Sequence, residues 1–251
     1  MPAAPPRSRR RVPSPPPARS TRAVQQRARD TRGRIVAAAL GVFAERGFEG
    51  ARTRDIAARA GVNQGLITYH FSSKEELWKA AADHIFTLLG DEFRRRREAL
   101  GDVEPLARLR ALVRYFVRFA AAHPELHRFM VEEGKSNGPR LHWLVDRHVR
   151  PLYEASRGLA EAAQTDGRLP RIDPVHLHYI FIGAATHLFV MAAEVRRLTG
   201  KDPMRNDMIE AHADAVIALL LGATQVASRR VGRKNSVPER TNLRKENPDG
   251  P

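Results

Sequence analysis

Cysteine is absent, which excludes disulfides and thiolate chemistry and makes a reducing cytoplasm the natural setting. No run of about 18 apolar residues occurs, so no segment is expected to span a membrane. The N-terminus is basic but Pro-rich, with no apolar stretch behind it, and does not read as a secretory signal. There is no H-E-x-x-H, no G-x-S-x-G and no catalytic cysteine. No alternating strand pattern interrupts the helical periodicity between Glu104 and Gly222. Lysine is scarce beside arginine, a bias in Arg, Ala and Pro that reflects genome base composition and carries no functional weight.

What is there is positive charge, and it is unevenly placed. The net charge of +15 is concentrated at the ends of the 251-residue chain. Residues 1–29 hold eight arginines and no acid, giving +8, and residues 229–251 hold seven bases and three acids, giving +4. Between them, residues 30–101 carry twelve bases against ten acids and residues 102–228 sixteen against fifteen. A nearly neutral middle is no broad phosphate-binding surface, so any DNA contact belongs to the N-terminal domain and the two ends.

The segment Thr53 to Phe71, TRDIAARAGVNQGLITYHF, is the most informative. Ile56, Ala57 and Ala60 recur at helical spacing and can bury one face of a short helix. Gly61 follows where a left-handed cap is needed, which glycine adopts without steric cost. Asn63 can cap a second helix by accepting a backbone N–H. In that helix Val62, Ile67 and Phe71 point inward, leaving Gln64, Leu66, Thr68, Tyr69 and His70 outward. Core packing is an equal alternative for Tyr69. Two helices joined by a three- or four-residue turn containing Gly describe a helix-turn-helix, whose second helix fits the DNA major groove.

The flanks carry a resemblance. Upstream, RGRIVAAALGVFAERGFEG reads as one helix with Ile35, Ala39, Val42 and Phe43 on a stripe, closed at Arg46-Gly47 with Phe48 as a plug. Downstream, SSKEELWKAAADHIF is capped by Ser72 or Ser73, has Glu75 and Glu76 at its start, and carries a stripe of Leu77, Ala81, His84, Ile85 and Leu88. A helix, F-A-x-x-G-[FY], R-D-I-A, A-G-V and Y-H-F-x-S-K-E-x-L in this order over residues 29–89 resemble the tetracycline-repressor-like (TetR) family of transcriptional regulators. The resemblance implies that the Thr53 hydroxyl holds a phosphate, that Arg54 reaches a base edge, and that Gln64 and Gly65 face bases beside Asn63. It implies that Thr68, Tyr69 and His70 pack on the backbone and that Lys74 contacts a phosphate. Leu66, Thr68 and Ala51 depart from the common family residues, so base preference is not transferable; Leu66 suits a thymine methyl.

The expected fold is all-α: a three-helix helix-turn-helix domain at 28–89, with its motif at about 52–71, and a helical effector-binding and dimerisation domain at 102–224. Residues 1–27 and 225–251 are expected to be disordered basic segments. Two readings stay open for the first: an arm lying along DNA, or a solubilising tail or over-extended translation start. The C-terminal one reads as a solvated tail. The run Arg94 to Arg97 reads as a solvated helix end or a DNA-proximal patch.

In the second domain, helices are expected from Pro105, from Pro124 to Gly134, around Leu141 to Val145 and from Leu152 to Ala163. A long one follows from Asp173-Pro174 to Gly200, and a last one is capped by Asn206 and stopped by Gly222. The long helix is apolar nearly all round and must be covered on every side, within the subunit or by a second copy. The resemblance implies the second: a homodimer through the helices at about 174–198 and 207–221, matching a palindromic operator. It also implies a small-molecule pocket, for which Phe116, His127, Met130, Trp143, His178, Phe181 and His187 are the candidates, with core packing the competing reading for each.

No cofactor and no metal site is expected. His176 and His178 are two apart and face different sides of a helix, and His123 precedes Pro124. The G-K-S at Gly134 to Ser136 lacks the rest of a phosphate loop, since Phe129 stands at its first-glycine position. The function expected is a sequence-specific DNA-binding regulator, a repressor released from its operator by an unknown small-molecule effector. The alternative is a ligand-independent architectural DNA-binding protein that uses its basic arms non-specifically. An all-helical enzyme finds no nucleophile–base constellation to support it.

Overall fold

A computed structural model describes residues 18–101, 103–167 and 169–222, and these residues form helices joined by short turns. Helix α1 (Ala18–Gly50) begins ten residues before the expected domain start. That corrects the expectation of a structureless segment as far as residue 27. The prolines stop at Pro17, and from Ala18 onward nothing in the sequence opposes a helix. Residues 1–17 and 225–251 lie outside the described residues. At Gly47, with φ 66°, the helix breaks, and Phe48 turns back to stack on Phe43 at 5.9 Å between ring centres.

Helices α2 (Thr53–Ala60), α3 (Gln64–His70) and α4 (Lys74–Leu100) complete the N-terminal unit. Ser73 is the cap of α4, its hydroxyl accepting from the Glu76 N–H at 3.0 Å. Glu76 reaches back, its carboxylate accepting from the Ser72 hydroxyl and N–H, both at 2.7 Å, which holds its pKa below the ordinary value. The domain boundary expected at residue 89 falls inside α4. Its far end carries Arg94 to Arg97, of which Arg94 pairs with Asp91 and Arg95 and Arg96 with Glu92. Pairs of this kind along an exposed helix surface favour the solvated helix end of the two readings.

The second unit comprises α5 (Pro105–Ala122), α6 (Pro124–Gly134), α7 (Pro139–Leu144), α8 (Arg150–Thr165), α9 (Pro174–Val190), α10 (Ala192–Thr199) and α11 (Asn206–Leu221). Three expectations are corrected. Helices α7 and α8 are not separate pieces, because a π turn at Val145–Val149 joins them. Pro151 has no N–H and its ring would crowd the carbonyl four residues back, and the widened turn relieves that. The single long helix expected to Gly200 breaks at Met191, and α9 and α10 meet at a 69° bend. The Arg128 guanidinium donates to the Val190 carbonyl at 3.1 Å, satisfying a group that the break exposes. Asn206 is the first residue of α11 rather than its cap; Arg205 precedes it and pairs with Asp207 at 3.0 Å.

The two units share one core. Helix α1 packs on α2, α4 and α6, while α5 packs on α4, α9 and α11. Trp78 of α4, 1% exposed, stacks on Phe129 of α6 at 5.2 Å and meets Trp143 of α7 at 5.7 Å. Burying a side chain of this size stabilises the fold by about 3 kcal/mol. The N-terminal unit is thus welded to the second unit through apolar contact, not tethered by a linker. Among the described residues no single helix is long and apolar enough to cross a membrane.

Candidate DNA interface and effector domain

Helix α3 stands on a short, tightly made turn. Gly61 has φ 63° and ψ 41°, and its N–H and that of Val62 close the end of α2 on the Ala58 and Ala57 carbonyls at 3.2 and 3.0 Å. The Asn63 side-chain oxygen then accepts from the Gly65 N–H at 2.8 Å, which starts α3. A Cβ at residue 65 would stand 3.3 Å from that oxygen, so glycine suits both the cap and a close approach by a partner. Ile67 and Phe71 bury the inner side of α3 as expected.

The outer side presents Gln64, Leu66, Thr68 and Tyr69 together, while His70, expected beside them, is partly buried. Gln64 donates to the Thr53 hydroxyl at 3.1 Å, tying the starts of α3 and α2. Thr68 donates to the Gly65 carbonyl at 2.9 Å. Leu66 is exposed, and Tyr69 is 79% exposed with its ring edge-on to His70 at 5.0 Å. The alternative of core packing for Tyr69 is therefore excluded. Arg54 is exposed beside Asp55, whose carboxylate is engaged by Arg46 of α1, and Arg59 of α2 pairs with Glu45 at 2.6 Å. These pairs lock α2 on α1 while leaving the Arg54 guanidinium outward.

Lys74 lies at the start of α4 with its ammonium 4.6 Å from the centre of the Phe48 ring and 3.4 Å from the Glu49 carbonyl. An ammonium has three donors, so this arrangement aims the group without exhausting it. The guanidinium of Arg140 of α7 also lies over the Phe48 ring, 3.8 Å from its centre. Arg140 also pairs at 3.2 Å with Glu133, a carboxylate only 5% exposed. The sequence reading missed this pair. Glu133 follows Leu126, Phe129 and Met130 at helical spacing, and that signal places it on the buried face of α6.

The seven effector candidates fall in separate places. Phe116 and Phe181 meet at 5.1 Å between α5 and α9. Trp143 joins Trp78 and the His148 ring, 5.5 Å away, in the contact between the units. His178 packs edge-on against Tyr153 at 5.2 Å and lies 3.3 Å from the Ser156 hydroxyl. His127 is half-buried, near enough for the charge of His187 to bear on it, and Met130 packs at the edge of the core. Burial first, and then that charge, holds the His127 pKa down. A surface cleft of about 470 Å³ is lined by Glu161, Gln164, Thr165, Arg171, Ile172 and Asp173, none of them a candidate.

One residue outside the expected set stands out. Tyr115 of α5 is buried with its ring 4.9 Å from Phe93 of α4 and 6.2 Å from Phe119. Its hydroxyl has no hydrogen-bond partner among the described residues. Burial, with the Glu92 charge next in size, pushes its pKa above the ordinary phenol value. Unsatisfied buried polar groups are uncommon and call for a reason. Among the described residues no group of three or more His, Asp or Glu side chains is placed to hold a metal ion.

An all-helical protein with a solvent-facing recognition helix on this turn is a helix-turn-helix DNA-binding regulator. Residues 35–81 match the bacterial regulatory proteins of the tetR family, and residues 105–220 match the tetracyclin repressor-like C-terminal domain. The chain is 31% identical over 176 residues to the HTH-type transcriptional repressor NicS of Pseudomonas putida, covering 68% of this chain and 81% of that one. It is 29% identical over 166 residues to the HTH-type transcriptional regulator RutR of Escherichia coli, covering 66% and 77%. The chain belongs to the TetR family of transcriptional regulators. Its fold matches that of AibR, solved with isovaleryl coenzyme A and operator DNA, at TM-score 0.61 and 19% identity over 76% of this chain and 98% of that one. The ketosteroid transcriptional regulator KstR2 of Mycobacterium tuberculosis matches at TM-score 0.58 and 22% identity, over 76% and 93%.

Proposed function

We propose that the chain is a homodimeric repressor that holds a palindromic operator through α2 and α3 of each subunit and leaves it when a small molecule binds. The observation that carries this is the outward face of α3, where Gln64, Leu66, Thr68 and Tyr69 stand together on a buried Ile67 and Phe71. In this reading Gln64 and Arg54 read base edges, Asn63 and Gly65 allow close approach, and Leu66 meets a thymine methyl. Thr53, Thr68, Tyr69, His70 and Lys74 hold phosphates and set register. The protein works in the cytoplasm, with the genome.

Dimerisation is assigned to α9 and α11. Tyr179 and Ile180 on α9 and Leu219 on α11 are large apolar side chains left exposed by a single chain. In this reading the α9 share is Pro174–Val190, where that helix ends at the bend, rather than the whole of about 174–198. A two-fold pair would set the recognition helices about 34–36 Å apart, one turn of DNA.

The effector is placed among α4, α5 and α9, where Phe93, Tyr115, Phe116 and Phe181 meet and the Tyr115 hydroxyl lacks a partner. Such a site suits an apolar molecule carrying a hydrogen-bonding group. A shift of α4 would carry Lys74 and the recognition helix with it, and it requires that the two states differ in effector affinity. Footprinting on DNA upstream of its own and neighbouring genes, at about physiological salt, tests the operator. A palindromic footprint supports the reading. Uniform, salt-sensitive protection with no preferred site overturns it in favour of an architectural DNA-binding protein.

A further inference from the structure

Helix α1 is 33 residues long, but its buried face starts only at Ile35. The stretch 22–34 before it packs on no core, and its one large apolar side chain, Val24, is 64% exposed. It carries Arg22, Arg27, Arg29, Arg32 and Arg34 against the single acid Asp30, five minus one, or +4. Arg22 and Arg29 are seven apart and share one side of the helix; Arg27 and Arg34 share another. Among the described residues none of these four makes an ion pair, and the one acid accepts instead from the Gln26 amide at 2.8 Å. An isolated helix of this length is marginal in water, and unpaired like charges make it more so. The chemistry it lacks is a polyanion.

Its position says which one. The Arg32 guanidinium sits 4.8 Å from the centre of the Phe71 ring, at the end of α3, and its charge reaches Glu76 in the first turn of α4. The extension therefore leaves the domain beside the recognition helix and the Lys74 turn. At about 1.5 Å per residue, Arg22 stands roughly 15 Å beyond Arg32. DNA presents one phosphate charge per about 1.7 Å of axis, so a helix of that reach spans several phosphates. We infer that residues 22–34 of α1 are a second DNA-binding element, which lies on the phosphate backbone flanking the base pairs read by α3. It rests on the reading of α2 and α3 as the operator-binding unit, and extends its footprint without reading sequence. Arg7, Arg9, Arg10 and Arg11, outside the described residues, continue the same charge.

The test uses the full chain and a duplex that it selects from a random-sequence pool, with and without about ten added base pairs on each side. Binding is titrated from low to high salt for the wild type, for Arg22→Ala/Arg27→Ala/Arg29→Ala, and for the same three positions changed to Lys. The three side chains are exposed, and circular dichroism with a urea titration checks that each variant is folded as the wild type is. The wild type is expected to bind the flanked duplex more tightly and with a steeper salt slope than the short one. The alanine variant should lose the flank gain, its slope falling by about 0.9 for each phosphate contact removed. The lysine variant should recover it, because phosphate contact needs charge rather than a guanidinium plane. An alanine variant with the wild-type slope and flank gain overturns the inference alone. A wild type that selects no sequence overturns the operator reading beneath it as well.

Discussion

The guanidinium of Arg140 lies over Phe48, its carbon 3.8 Å from the ring centre, and the ammonium of Lys74 lies 4.6 Å from the same ring centre. One aromatic side chain of the N-terminal unit thus meets both a cation of the second unit and the lysine proposed to grip a phosphate. Behind Arg140 stands the buried Glu133. A movement of α6 or α7 that drew Arg140 away would change what surrounds Lys74. This is a physical contact between the two units beside the lysine proposed to hold DNA.

Arg140→Ala should destabilise the protein by about 2–4 kcal/mol, from the lost cation–π contact and the buried carboxylate left without a partner. Arg140→Lys should recover only part of that, since an ammonium has no planar face to stack. Urea unfolding of the three proteins gives the comparison. A lysine variant as stable as the wild type would show that stacking contributes nothing.

Gly61→Ala should cost about 1–2 kcal/mol, all of it backbone strain, because φ is 63° and the space around the missing Cβ is empty. Gly61→Asn should cost less, asparagine being tolerant of the left-handed region. Equal stability of all three in chemical denaturation would contradict the cap geometry.

Tyr69→Ala should leave the unfolding midpoint unchanged, since the tyrosine is largely solvent-exposed, and Gln64→Ala, which loses only the exposed bond to Thr53, should lower stability by no more than about 1 kcal/mol. Each should weaken operator binding by about 1–3 kcal/mol. For Gln64→Ala the loss should depend on the base pair opposite, and for Tyr69→Ala it should be similar across sequences. Fluorescence anisotropy with single-base operator variants reads both.

Tyr115→Phe removes a buried hydroxyl that has no partner among the described residues. Stability should stay level or rise by about 1 kcal/mol. If the effector lies where proposed, the concentration that releases DNA should rise by about tenfold, the loss of one hydrogen bond. An unchanged release curve moves the effector elsewhere in the second unit.

Stability should fall as the solution is made mildly acidic. Burial lowers the pKa of His84, His127, His148, His178 and His212, with the charge of Asp83 opposing it at His148. A histidine whose folded pKa lies below its unfolded value of about 6.5 binds protons more readily when unfolded. Its stabilisation is complete above that value and is lost as pH falls below it toward the folded pKa. Urea midpoints measured from pH 7.5 down to 5 should decline. A flat profile would contradict the burial of these rings.

The signals that the sequence carried alone were local ones. Gly47, Gly61, Asn63 and Ser73 act on backbone within a few residues, and the 3.6-residue stripes of α1, α2 and α4 declare a buried face without reference to what covers it. That is why the helix-turn-helix, its outward side chains and the family were legible before any coordinate. What only the tertiary structure decided depends on residues distant along the chain. The break at Met191 is satisfied by Arg128, 62 residues from the carbonyl it caps. Buried Glu133 is paired by Arg140, seven residues on and in the next helix, and Phe48 is contacted by side chains from α4 and α7. The effector candidates shared an expected inward face but, Phe116 and Phe181 aside, not a location, because periodicity assigns a residue to a face and leaves open which neighbour that face meets.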